Sequence, residues 1–133
     1  MAVKEVDIGL AADIGTLSRL PKIVGSFSWV KDVCLSARVF GAEEALKVGF
    51  VSQVEATKEE AIEKAFKIAR LLAEKSPVAV QGTKELLNHA RDHNLADSLR
   101  YTGVWNSAAI QTKDVQDAML SGLQKKTPTF AKL

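Results

Sequence analysis

Three acidic side chains crowd the first thirteen positions: Glu5, Asp7 and Asp13. Their neighbours are small or apolar, and Gly9, Ala11, Ala12 and Gly15 would let backbone approach a ligand closely. A carboxylate withdrawn from water holds a proton more tightly, which suits proton transfer near neutral pH. Glu5 and Asp13 are separated by a segment that reads as turning at Gly9, so both could face one cleft. The same residues permit a plainer reading, with Glu5 and Asp7 as solvated charges and Asp13 as a helix N-cap.

Other chemistry is sparsely provided. His89 and His93 lie four apart, on one face of a helix, without the intervening glutamate of a zincin motif, and read as a surface pair. Cys34 is the single cysteine, which excludes an internal disulfide framework; its apolar surroundings read as core. Trp29 and Trp105 read as packing residues, and Lys125-Lys126 as a solvated pair. Gly9 and Gly15 do not form a dinucleotide-binding fingerprint, and no phosphate-binding P-loop is present.

These residues must be positioned by a chain of 133 residues, ordinary for one domain. Apolar residues make up 47% and charged residues 26%, a globular balance rather than a disordered one. Lys and Arg number 18 against 16 Asp and Glu; without a basic block, no nucleic-acid partner is expected. No uncharged run approaches the roughly 20 residues needed to span a bilayer, so no membrane span is expected.

The pattern is mostly helical. Val3 to Leu10 reads as extended, then turning at Gly9; Asp13 is expected to cap a short helix that Pro21 interrupts. Ser26 or Ser28 would cap a helix through about Ala37, and Gly49 suits the C′ position of a helix from Gly41. Phe50 to Val54 alternates and predicts a short strand. Thr57 with Glu60 forms a capping box ahead of a wide apolar face from Ala61 to Ala73. Ser76-Pro77 restarts a helix to about Ala90, Asn94 or Asp97 opens another toward Ile110, and Thr112 opens a last one to about Leu123. A lone strand has no sheet to join, which suggests part of a larger fold or a need for partner chains.

The run Lys4 to Gly25, through Glu5, Ala11-Ala12-Asp13 and Arg19-Leu20-Pro21, resembles the enoyl-CoA hydratase/isomerase (crotonase) superfamily. Within it, the likeness is to the Δ3,5-Δ2,4-dienoyl-CoA isomerase branch. It continues through Ala42 to Ser52, Lys75 to Lys84, Arg91-Asp92-His93, Trp105-Asn106 and on to Phe130. Hydratases typically carry a glycine-rich turn where this chain has Ala11-Ala12-Asp13.

The resemblance implies the C-terminal part of the crotonase α/β spiral. Residues 1–56 would be the end of the core with the acidic segment, and 57–133 a helical oligomerisation region. Glu5 and Asp13 would be the catalytic carboxylates moving a proton from C2 to C6 of a 3,5-dienoyl-CoA, giving the 2,4-dienoyl-CoA of fatty-acid β-oxidation. Phe130 and Lys132 would contact the acyl-CoA. No cofactor or metal is implied, since CoA is part of the substrate. The family assembles as trimers or hexamers, and it places its oxyanion-hole amides before the region matched here, so impaired activity is expected. The C-terminal Ala131-Lys132-Leu133 is similar to a peroxisomal address, implying an import receptor and a peroxisomal location, with the mitochondrion as the other compartment. Two other readings remain open: a hydratase or Δ3,Δ2-enoyl-CoA isomerase, and a non-catalytic oligomerisation fragment.

Overall fold

A computed structural model describes residues 1–132; Leu133, the last residue of the proposed address, lies outside them. A 3₁₀ turn, Glu5–Ile8, precedes seven α-helices among these residues: α1 (Thr16–Ile23), α2 (Phe27–Ser36), α3 (Ala42–Lys47), α4 (Lys58–Ala73), α5 (Pro77–Asp92), α6 (Leu95–Ala109) and α7 (Lys113–Leu123). The contacts divide the chain into two compact units, 1–61 and 62–133.

The first unit owns a small dense core of Leu20, Val24, Trp29, Val30, Val33, Cys34, Phe40 and Ala45. Its aromatic rings meet edge to face, Trp29 on Phe40 at 5.0 Å and Phe40 on Phe50 at 6.2 Å, the arrangement ring quadrupoles favour. Ser26 caps α2 by accepting from the Trp29 amide at 3.3 Å. At its other end Ala37 turns left-handed, φ 53°, although it is not glycine. That reversal brings Arg38 back along α2, where its Nε donates to Asp32 Oδ2 at 2.7 Å.

Glu44 on α3 closes the arrangement. Its Oε1 accepts from the Trp29 indole N–H at 2.7 Å and from the Arg38 guanidinium, which also donates to Oε2 at 3.1 Å. The Arg38 fork, then the indole, hold the Glu44 carboxyl down at about 2, well below its ordinary 4.5.

Two sequence expectations fail here, for one reason. Val3 to Leu10 is not extended, and Phe50 to Val54 is not a strand; no strand occurs among the described residues. Strand backbone needs a neighbour for its N–H and C=O groups. The chain satisfies them locally: Leu10 N donates to Glu5 O at 3.0 Å, and Phe50 N to Ala45 O at 2.8 Å. Pro21 does not interrupt α1 either; the helix continues two residues past it before Val24 N closes onto Leu20 O.

The helices that follow lie mainly in the second unit; α4, α5 and α6 begin on side-chain caps, whereas α7 opens at Thr112 without one. The Thr57–Glu60 box ahead of α4 forms with both reciprocal bonds, 3.2 and 3.1 Å. Ser76 caps α5 with Pro77 in the first turn, and its hydroxyl donates to the Asp114 carboxylate. Asn94 caps α6 through the Asp97 amide at 3.0 Å.

Where α5 meets α6, buried Gly82 faces Trp105. The His89 and His93 rings stack 3.7 Å apart, Tyr101 lies against His89 at 4.3 Å, and His93 Nδ1 is 2.8 Å from the His89 carbonyl oxygen. A cleft of about 390 Å³ follows this seam, lined by Ala79, Gly82, Leu86, Trp105 and Ile110 among others. Many large apolar side chains of this unit stay exposed, including Leu87, Leu95, Leu99, Val104 and Leu123.

Two outcomes test this description. A Cβ at Gly82 would stand 2.5 Å from Trp105 Nε1. Gly82→Ala is therefore expected to destabilise the chain by about 1–2 kcal/mol in urea unfolding, the overpacking cost outweighing the better helix former. The depressed Glu44 carboxyl contributes stability that is present above its unfolded value of 4.5 and lost as pH falls through about 2. Unfolding midpoints measured from pH 5 to 2 should fall, and should fall less in Glu44→Gln.

Candidate active site

The acidic segment is held from beneath. Glu5 opens the 3₁₀ turn, which Gly9 terminates in the left-handed region at φ 79°, where glycine is favoured. The turn packs on α2. Lys4 and Asp7 neutralise one another through an exposed 3.0 Å ion pair. Glu5 is half-buried. No side-chain hydrogen bond or ion pair holds its carboxylate among the described residues.

The helix beneath the turn carries Cys34, close enough for the Glu5 charge to act on it. The thiol is 7% exposed. Burial pushes it above its usual range, and the negative charge of Glu5 pushes it further. Cys34 is core, as its sequence surroundings indicate.

Asp13 is exposed, in a turn covering residues 13–15. It is not the N-cap of α1. Gly15 takes that position at φ 97°, without a side-chain capping bond. The Arg19 side chain folds back over Gly15, with Nε 3.3 Å from where a Cβ would stand. The dihedral favours glycine, and a Cβ there would require the exposed Arg19 side chain to shift slightly. Asp13 is left without a capping role, and no hydrogen bond or ion pair joins it to Glu5 among the described residues. Both carboxylates belong to one short segment of the first unit, on either side of the Gly9 turn.

The two remaining sequence candidates lie in the second unit. Phe130, half-buried, and Lys132, exposed, line a groove of about 290 Å³ with Leu72, Lys75, Pro77, Val80 and Gln81. His89 and His93 do share a helix face, but as a stacked pair. Among the described residues no group of three or more His, Cys, Asp or Glu is placed to hold a metal ion. Sequence reasoning missed the Trp29–Glu44–Arg38–Asp32 network. The only local signal was Glu44 in the first turn of a short helix, which reads equally well as a helix-dipole charge.

The fold has solved counterparts. The chain superposes on an enoyl-CoA hydratase, EchA1 of Mycobacterium marinum, with a TM-score of 0.87 over 97% of its length and 50% of that chain, at 24% identity. It superposes on DspI of Pseudomonas aeruginosa with a TM-score of 0.90, over 98% of its length and 49% of that chain, at 30% identity. The architecture is therefore that of the crotonase fold.

The family follows from sequence: the enoyl-CoA hydratase/isomerase model matches residues 1–132, and the chain belongs to that family. Curated relatives include the mitochondrial Δ(3,5)-Δ(2,4)-dienoyl-CoA isomerase of Homo sapiens, 47% identical over 98% of this chain and 41% of that protein. The peroxisomal Δ(3,5)-Δ(2,4)-dienoyl-CoA isomerase of Arabidopsis thaliana is 40% identical over 99% of this chain and 47% of that protein. The chain spans less than half the length of these two relatives.

The Glu5–Cys34 relation can be measured directly. Removing the carboxylate charge in Glu5→Gln should move the Cys34 thiol titration to lower pH, because a negative neighbour no longer opposes the thiolate. With one cysteine in the chain, the Cβ carbon shift of labelled cysteine reports it alone. An unchanged midpoint would place Glu5 away from Cys34.

Proposed function

We propose that this chain carries the proton-transfer segment of a Δ3,5-Δ2,4-dienoyl-CoA isomerase and corresponds to the C-terminal part of the crotonase fold. The observation that carries the reading is the likeness to dienoyl-CoA isomerases, 47% and 40% identical over alignments that span nearly the whole chain. The residue types suit the chemistry. A C2 proton α to a thioester can be removed by a carboxylate if the developing dienolate oxygen is held by hydrogen-bond donors. The electron pair left at C2 delocalises along the dienolate, and protonation at C6 completes the 2,4-diene. Glu5, half-buried and without a side-chain partner among the described residues, takes the C2 proton; Asp13, further along the segment, supplies the C6 proton.

The reading calls for no metal or redox cofactor, because CoA is a portion of the substrate. It does call for oxyanion-hole amides, which the resemblance places in the half of the family fold before this segment. One such donor contributes about 3 kcal/mol of barrier lowering, so the 133 residues alone are expected to turn over poorly. Phe130 and Lys132 are assigned to the acyl-CoA, and the Ala131-Lys132-Leu133 end to peroxisomal import.

A second reading is favoured by a different observation. Leu87, Leu95, Leu99, Val104 and Leu123, on α5, α6 and α7, leave large apolar side chains exposed. They support an oligomerisation surface, as trimers or hexamers, which would operate with or without catalysis.

Conjugated-diene absorbance with 3,5-dienoyl-CoA thioesters tests the first reading. It is measured on the chain alone and on the chain joined to the oxyanion-bearing half of a family member. Turnover is expected in the joined protein and at least about a hundredfold less in the chain alone. In the joined protein, Glu5→Gln and Asp13→Asn should each lower kcat by about a hundredfold or more. Undiminished turnover in both variants overturns the roles; full turnover by the bare chain overturns the impairment.

A further inference from the structure

Among the described residues Glu5 has no side-chain partner, so its placement is inherited from its backbone: the segment before it is tied at Met1 to Phe40, and its own turn packs on α2. The direction of α2 is in turn fixed at two points by one carboxylate. Near its start, the Trp29 indole donates to Glu44 at 2.7 Å; just past its end, Arg38 donates to both Glu44 oxygens. Arg38 also grips Asp32 on the helix itself at 2.7 Å. The two anchors are nine residues apart on the chain and converge on a single side chain of α3. A helix tethered at both ends to one point cannot tilt without breaking a bond to a charged group, which is among the stronger hydrogen bonds available.

We propose that Glu44, with Trp29 and Arg38, is a positioning device for Glu5, acting through α2 rather than by touching the substrate. This rests on the reading of Glu5 as a proton-transfer group, but its geometric content does not depend on catalysis. Glu44 carries the placement, Arg38 and Trp29 transmit it to the two ends of α2, and α2 is the helix on which the Glu5 turn packs. The network lies wholly within residues 29–44.

The single cysteine provides a readout that a purely stabilising network would not move. The drop in the Cys34 titration midpoint caused by Glu5→Gln measures how closely the two groups face each other. That drop is compared in the native background, in Trp29→Phe, which keeps a ring against Phe40 and deletes only the donor, and in Glu44→Gln, which removes the charge. The expected result is a drop less than half the native one in both backgrounds, with near-ultraviolet circular dichroism still folded. An equal drop in all three backgrounds would overturn the proposal. Loss of the folded signature in both variants would assign the network to stability alone and overturn it as well. Should the diene assay show Glu5→Gln to be fully active, the catalytic reading fails while the midpoint comparison still decides the positioning.

Discussion

The Glu44 carboxylate is the constraint on which the first unit depends. A charged group shared between an indole and a guanidinium must be approached along directions that satisfy both donors. Those directions set the relation of α2 to α3, and α2 carries Val30, Val33 and Cys34 into the core. The apolar contacts supply the larger share of the free energy. They do not choose among near-equivalent helix arrangements, because burial is indifferent to direction. The hydrogen bonds to Glu44 make that choice. Its carboxyl stays ionised to about pH 2, so the arrangement is fixed over the range in which proteins ordinarily work.

The second unit is organised differently. Two of its helices are specified at their starts, by Ser76 and by Asn94. Among the described residues its closest helix–helix seam is that of α5 and α6, made through Gly82 with Trp105 and the His89–His93–Tyr101 stack. Gly82 is the one fully buried residue described in this unit. Well-defined helices with uncovered apolar faces are what results when capping settles the elements and their burial is completed by something outside the unit.

What could be read from the sequence divides along the same line. Caps are local, within three residues, and their positions were legible: Ser26, Thr57, Ser76 and Asn94 all accept the expected amide. Features that depend on a remote partner were not. The alternation of Phe50 to Val54 suggested a strand, but pairing is a property of two segments, and Ala45 O took the first amides instead. Asp13 has the chemistry of a cap, yet Gly15 takes that place in the left-handed region that glycine favours. For the candidate site, the residue types and the shared segment were legible; the bed beneath Glu5 was not, because Trp29 and Glu44 are fifteen residues apart. Gly82, placed mid-helix against its propensity, was a signal of close approach that went unread.

Ala37 has a further consequence for how this molecule can drift. It is 1% exposed and left-handed, a conformation costing an L-residue roughly 1–2 kcal/mol. The enclosing core accommodates a methyl group there and little more. Larger replacements would meet both the dihedral and the wall, while glycine would relax the bend that returns Arg38 to Asp32. Change at this site is thereby narrowed to small residues that tolerate a left-handed backbone, and the placement of Arg38 depends on that narrowing.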